Sequence, residues 1–270
     1  MVIGKILLTK NLADACAKYA GACGKKSILF TKPVKNVNIS ELGVYLSDDA
    51  LHFLNGKIRY KSPAQAADAA KRIVMKQFNL GYPQECNVLV EGTDILGVYK
   101  YKGEATSAPL PFQASAKPWK GERTIDVYHN HPVAVPLSDG DIFDLLHTKI
   151  KSITAFNKNG EYSCAEIIDI DKAYEGINSR IDGVFANNKL ITNLADALQR
   201  RFLNPKEYRI FKIFDGDFGN IRYNQCVENY NTIKDNLFNT SPDKYGQIFN
   251  EALSEILPAH GVKYSCNMSL

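Results

Sequence analysis

The chain has 270 residues, of which 45% are hydrophobic and 23% charged, with a formal net charge of +4. That balance excludes a disordered, collagen-like or coiled-coil chain and allows one large domain or two modest ones. No apolar run approaches the roughly 18–20 residues of a membrane span, and Met1–Leu8 lacks the apolar core of a secretory signal. The average charge hides an asymmetry. Residues 1–80 carry 13 Lys/Arg against 5 Asp/Glu, residues 81–170 carry 8 against 12, and residues 171–270 carry 12 against 12. The basic first third is either a solvated lysine surface or a face for an acidic partner such as nucleic acid. None of the six cysteines forms a Cys-x-x-C pair. Cys16 and Cys23 fall two helical turns apart, too far for a disulfide, so reduced thiols in a cytoplasmic setting are expected.

In chain order, Gly4–Thr9 reads as a strand and Leu12–Ala20 as a helix. Strand fragments follow at Val34–Ile39, Gly43–Leu46 and Leu51–Leu54, with a turn at Asn55-Gly56. Ser62-Pro63 opens a helix that runs to about Phe78, with Ala67, Ala70, Val74 and Phe78 at helical spacing. Glu85–Val90 and Ile95–Tyr101 form a hairpin around Glu91–Asp94. The strand Thr124–Tyr128 runs into His129-Asn130-His131-Pro132. Ser138 caps a helix through Ile142, Leu145, Leu146 and Ile150. A hairpin of Ile153–Phe156 and Tyr162–Ile168 turns at Asn157–Gly160. Residues 171–203 and 227–256 read as helical, with a strand pair near Tyr208–Phe214 and Asn220–Tyr223 turning at Asp215-Gly216-Asp217. The fold class expected is α/β, a mixed sheet flanked by helices. A small basic α+β module, or an extension of the same sheet, occupies 1–80, and the main domain with its helical C-terminal region occupies 81–270.

The chemistry concentrates at the end of the strand before Pro132. In an extended segment residues i and i+2 face the same side, so His129 and His131 can bind one ion together. Asp141, in the first turn of the next helix, can supply a third ligand. Two His and one Asp leave a coordination position open for water, as catalytic zinc sites do. Zinc lowers the pKa of bound water toward about 7 and polarises a carbonyl, and a nearby glutamate would act as general base. Against this stand plain readings: Ser138 as a helix cap, Asp141 as a charge on a helix N-terminus, and any one glutamate as a surface carboxylate. His52, His147 and His260 read as ordinary surface or core residues.

The order His-Asn-His-Pro, a six-residue spacer, Ser138 and Asp141 resembles the signature of the JAMM (MPN+) zinc metalloprotease superfamily, which includes deubiquitinating isopeptidases. Many members have a seven-residue spacer. The shorter one is more similar to the JAB-type domains of phage head-morphogenesis (MuF-like) proteins and polymorphic toxin systems. That subgroup opens on a glutamate at the start of a hairpin, which Glu85-Cys86-Asn87-Val88-Leu89-Val90-Glu91-Gly92 through Lys102-Gly103 resembles. The resemblance continues through Lys151–Phe156, Asn159–Ser163 and Gly261–Tyr264, and its specific motifs cover about residues 83–167.

The resemblance implies a JAMM/cytidine-deaminase-like core holding Zn2+ on His129, His131 and Asp141. Glu85 would be the catalytic base, with Glu91 as competitor and Glu104 in a poorer context. Ser138 would help stabilise the tetrahedral oxyanion. The expected activity is a zinc-dependent peptidase or isopeptidase acting on a protein or peptide, such as a ubiquitin-like conjugate or a phage protein. The alternative is a phage structural or virion-associated protein whose similar fold is vestigial or only structural, its basic 1–80 region facing DNA or capsid. Either reading places the chain in the bacterial cytoplasm or the virion, with no membrane partner.

Overall fold

A computed structural model describes residues 50–52, 58–78, 85–101, 110, 122–146, 149–176, 179–181, 184–186, 188–213 and 221–270. The elements expected between residues 4 and 46, the Asn55-Gly56 turn, the Cys16–Cys23 spacing, Glu104, His147 and the Asp215–Asp217 turn lie outside these residues.

The described residues form two compact units. The first contains β1 (Ala50–His52), β2 (Ile58–Arg59), α1 (Pro63–Gln77), β3 (Asn87–Glu91), β4 (Asp94–Tyr101), β5 (Ile125–Asn130) and β6 (Ile150–Phe156). The second contains α2 (Asp139–Leu145), β7 (Tyr162–Ile167), α3 (Ile170–Ala173), the small hairpin β8 (Ser179–Ile181) and β9 (Val184–Ala186), and α4 (Lys189–Phe202). It continues with α5 (Pro205–Ile213), α6 (Ile221–Thr240), α7 (Pro242–Ile256), a 3-10 turn at Pro258–His260 and β10 (Val262–Cys266). In the first unit the main sheet runs β1-β4-β3-β5-β6, with β2 also on β4, and in the second β7 pairs with β10. β5 and β6 are parallel, whereas β1, β2 and β3 each pair antiparallel with β4, as β3 does with β5 and β7 with β10. The chain is therefore α/β, a mixed sheet with flanking helices. Among the described residues no helix is long and apolar enough to cross a membrane.

In the first unit the side chain of Ser62 accepts from Gln65 N at 3.3 Å and Pro63 fills the first helical turn of α1. The helix buries Ala66, Ala69, Ala70, Val74 and Gln77. Ala70 and Val74 are thus buried as their spacing predicts, whereas Ala67 and Phe78 are only partly buried. The helix's small side chains bring the backbone close to β3 and β5, against which α1 packs. Because β1 and β2 also pair with β4, Ala50–His52 and Ile58–Arg59 extend the main sheet. β3 and β4 turn tightly at Gly92-Thr93, where Gly92 takes φ +58, the left-handed region that glycine enters at little cost. β3 is buried along almost its whole length, as befits a strand with neighbours on both edges.

In the second unit α4 packs on α7 and α2, and α7 packs on β10. Phe202 sits among Tyr230, Tyr245 and Phe249 with ring centroids 5.7–6.0 Å apart.

Three sequence expectations are corrected. The helix after Ser138 ends at Leu145, and Ile150 opens β6. The strand pair expected near Tyr208–Phe214 and Asn220–Tyr223 is instead helical over its described residues, 208–213 and 221–223. Asn204 caps α5 by accepting from the backbone N–H groups of Lys206 and Glu207, both at 3.0 Å, and Phe211 packs with Leu203 and Cys226. Residues 171–203, expected helical throughout, contain the β8–β9 hairpin.

Candidate metal centre

β5 is an inner strand, and its register sets the first two ligands. His129 pairs with Asn87 of β3 on one side and Ala155 of β6 on the other. His131, just past the strand, remains tied to β6 through its N–H, which donates to Phe156 O at 2.9 Å. Both imidazoles are buried, at 3% and 4% exposure. Their Nε2 atoms face each other at 2.9 Å, with ring centroids 4.7 Å apart and planes at 64°. This is the outcome of the i, i+2 spacing: two rings on one side of one strand.

Asp141 is fixed by local chemistry at the start of α2. Ser138 and Asp141 form a reciprocal capping box. The N–H and the hydroxyl of Ser138 both donate to Asp141 Oδ2, at 2.7 and 2.8 Å, while Asp141 N–H donates to Ser138 Oγ at 3.1 Å. The approach to this cap is held by a hydroxyl chain. The buried Ser163 Oγ accepts from Leu137 N at 3.2 Å and donates to Tyr264 Oη at 3.1 Å, which donates to Asn250 Oδ1 at 2.9 Å. Burial raises the Tyr264 phenol well above its ordinary pKa, so it stays a donor. Lys234 of α6 pairs with Asp139 at 3.0 Å, and the Tyr174 hydroxyl donates to Leu146 O, so both ends of α2 are tied down.

His129 and His131 bring two ring nitrogens together, and Asp141 is the carboxylate of the expected ligand set. The donor set fits zinc. Two nitrogens at about 2.0–2.1 Å from one tetrahedral ion lie roughly 3.3 Å apart, close to the 2.9 Å between the two Nε2 atoms. The burial and the mixed nitrogen and carboxylate ligands also fit. Burial pushes the Asp144 carboxyl up to about 7, with the charge of Asp141 acting in the same direction. A cation held beside Asp141 would reverse that second influence.

Of the other sequence candidates, Glu85 stands partly buried two residues before β3. The β3–β5 pairing ends at Asn87 and His129, two residues after Glu85. Just before that pair, Cys86 N–H donates to the side chain of Asn130, at Oδ1, over 3.0 Å. Glu91, at the far end of β3 and opposite Ile125, accepts from the Thr124 hydroxyl at 2.6 Å, which explains it as part of the hairpin end. Ser138, expected at the oxyanion, gives its single hydroxyl proton to Asp141. His260, read as an ordinary residue, is buried and bonded to Asn193 at 2.9 Å.

Sequence reasoning passed over Asn130 and Ser163. Asn130 looked like a spacer between two histidines, and Ser163 like one polar residue of an alternating strand. Neither carries a local signal, because each acts across a long sequence separation. No family model, curated protein or solved structure matches the chain.

Proposed function

We propose that the chain is a zinc-dependent peptidase or isopeptidase of JAMM type. One observation carries the reading: the buried imidazoles of His129 and His131 face each other through their Nε2 atoms at 2.9 Å. Buried imidazoles facing each other gain from a shared cation, and Asp141 is the carboxylate that would complete an open three-ligand set. Zinc bound there would polarise a scissile carbonyl and ease deprotonation of water.

The remaining work falls to the chain itself. Glu85, two residues before the last β3–β5 pair, takes the proton of the attacking water and hands it to the leaving amine. Ser138 first orients Asp141. To serve an oxyanion as well, its hydroxyl must release the carboxylate as charge develops on the substrate. The substrate is a protein or peptide, for which a ubiquitin-like conjugate or a phage protein are the candidates.

Metal analysis of the purified chain, with and without added zinc, is the first test. Glu85→Gln should then retain zinc and lose hydrolysis. Unchanged hydrolysis removes Glu85 from the mechanism.

The second reading, a phage structural or virion-associated protein, is favoured by the basic surplus of residues 1–80, which suits DNA or an acidic capsid face. Its mark would be co-purification with virions and no cleavage of any virion or host protein.

A further inference from the structure

We infer that Asn130 is a positioning residue for Glu85, resting on the reading of Glu85 as the base. The side chain of Asn130 is fully buried. Its Oδ1 accepts the N–H of Cys86, the residue that follows Glu85, at 3.0 Å and across 44 positions of sequence.

The location gives the bond its meaning. Strand pairing of β3 with β5 ends at Asn87 and His129. Beyond that pair the His131 N–H donates to Phe156 O of β6. The N–H of Cys86 is met by an amide side chain in place of a strand carbonyl. Asn130 therefore extends the pairing by one residue at the point where Glu85 leaves the sheet. A buried N–H left unmet there would be costly, so the bond fixes the backbone from which the Glu85 carboxylate projects.

The same three residues thus hold both halves of the proposed reaction. His129 and His131 supply two ligands, and Asn130 between them sets the base relative to those ligands. A displacement of the base by about 1 Å is enough to cost on the order of 100-fold in rate. Asparagine suits the position because it offers a carbonyl acceptor on a short stem and carries no charge beside the metal.

The test uses the full chain loaded with Co2+, whose visible spectrum reports the site without a substrate. The spectrum is titrated with pH in the wild type, Glu85→Gln, Asn130→Ala and the double variant. Removing a carboxylate near a bound cation favours the deprotonated site, so Glu85→Gln should move the spectral midpoint to lower pH. Asn130→Ala should move it in the same direction by a smaller amount, and the double variant should match Glu85→Gln alone. Cobalt uptake serves as the folding control. If Asn130→Ala does not fold, Asn130→Ser, with a shorter acceptor, takes its place in the same cycle.

An Asn130 variant with the wild-type midpoint overturns the inference while leaving the metal reading standing. So does a shift that adds in full to that of Glu85→Gln, because Asn130 would then act through the adjacent histidines. A wild-type chain that takes up no cobalt overturns the metal reading, and this inference with it.

Discussion

Ser138 and Asp141 hold each other in a closed exchange of three hydrogen bonds, two into Asp141 Oδ2 at 2.7 and 2.8 Å and one back to Ser138 Oγ at 3.1 Å. One residue thus caps a helix and orients a proposed ligand. Ser138→Ala should cost about 1 kcal/mol of folding stability from the cap alone. It should also weaken zinc binding roughly 10- to 100-fold, as loss of an orienting partner does. Denaturant unfolding of the metal-free chain and a competitive zinc titration separate the two effects. A variant with the stability loss and unaltered zinc affinity would make Ser138 a cap only.

Gly261 links the 3-10 turn to β10 with φ +68. A Cβ there would lie 2.6 Å from both Cβ and O of Asp169, and the Gly261 carbonyl accepts the N–H groups of Ile168 and Asp169. Gly261→Ala combines left-handed strain with a backbone clash and should destabilise by at least about 2 kcal/mol. Chemical denaturation checks it, and a neutral outcome would mean that this turn relaxes freely.

The buried imidazole of His260 is held below its ordinary pKa, chiefly by burial and also by Lys189, against an opposing pull from Glu175. Its unfolded form therefore binds protons more readily than its folded form. The contribution of neutral His260 is complete above the unfolded value of about 6.5 and is lost as pH falls from there through the lower folded value. Unfolding curves of the wild type and His260→Gln across this window should converge toward low pH. Parallel curves would show that His260 is not linked to folding.

The parts of this structure legible in sequence were those written in adjacent residues. Ser62-Pro63 announced α1, and the His129-Asn130-His131 run announced two imidazoles on one side of a strand. The Ser138–Asp141 spacing announced a capped helix. Where two readings share one pattern, sequence misled. Leu145, Leu146 and Ile150 are all buried, and their spacing continues a helix as well as it opens a buried parallel strand. Aromatic and β-branched residues at 208–214 suggested strands, but Phe211 is buried through packing on Leu203 and Cys226. Asn130 was invisible because its partner, Cys86, lies 44 residues away.

The central claim is that His129, His131 and Asp141 form one metal site. Its most direct test is a zinc titration of the full chain alongside His129→Ala, His131→Ala, Asp141→Ala and Glu85→Gln. The wild type and Glu85→Gln should each take up one zinc, and each of the three ligand variants should lose that uptake. A folded wild type that takes up no zinc, or ligand variants that bind it as well as the wild type does, would contradict the account.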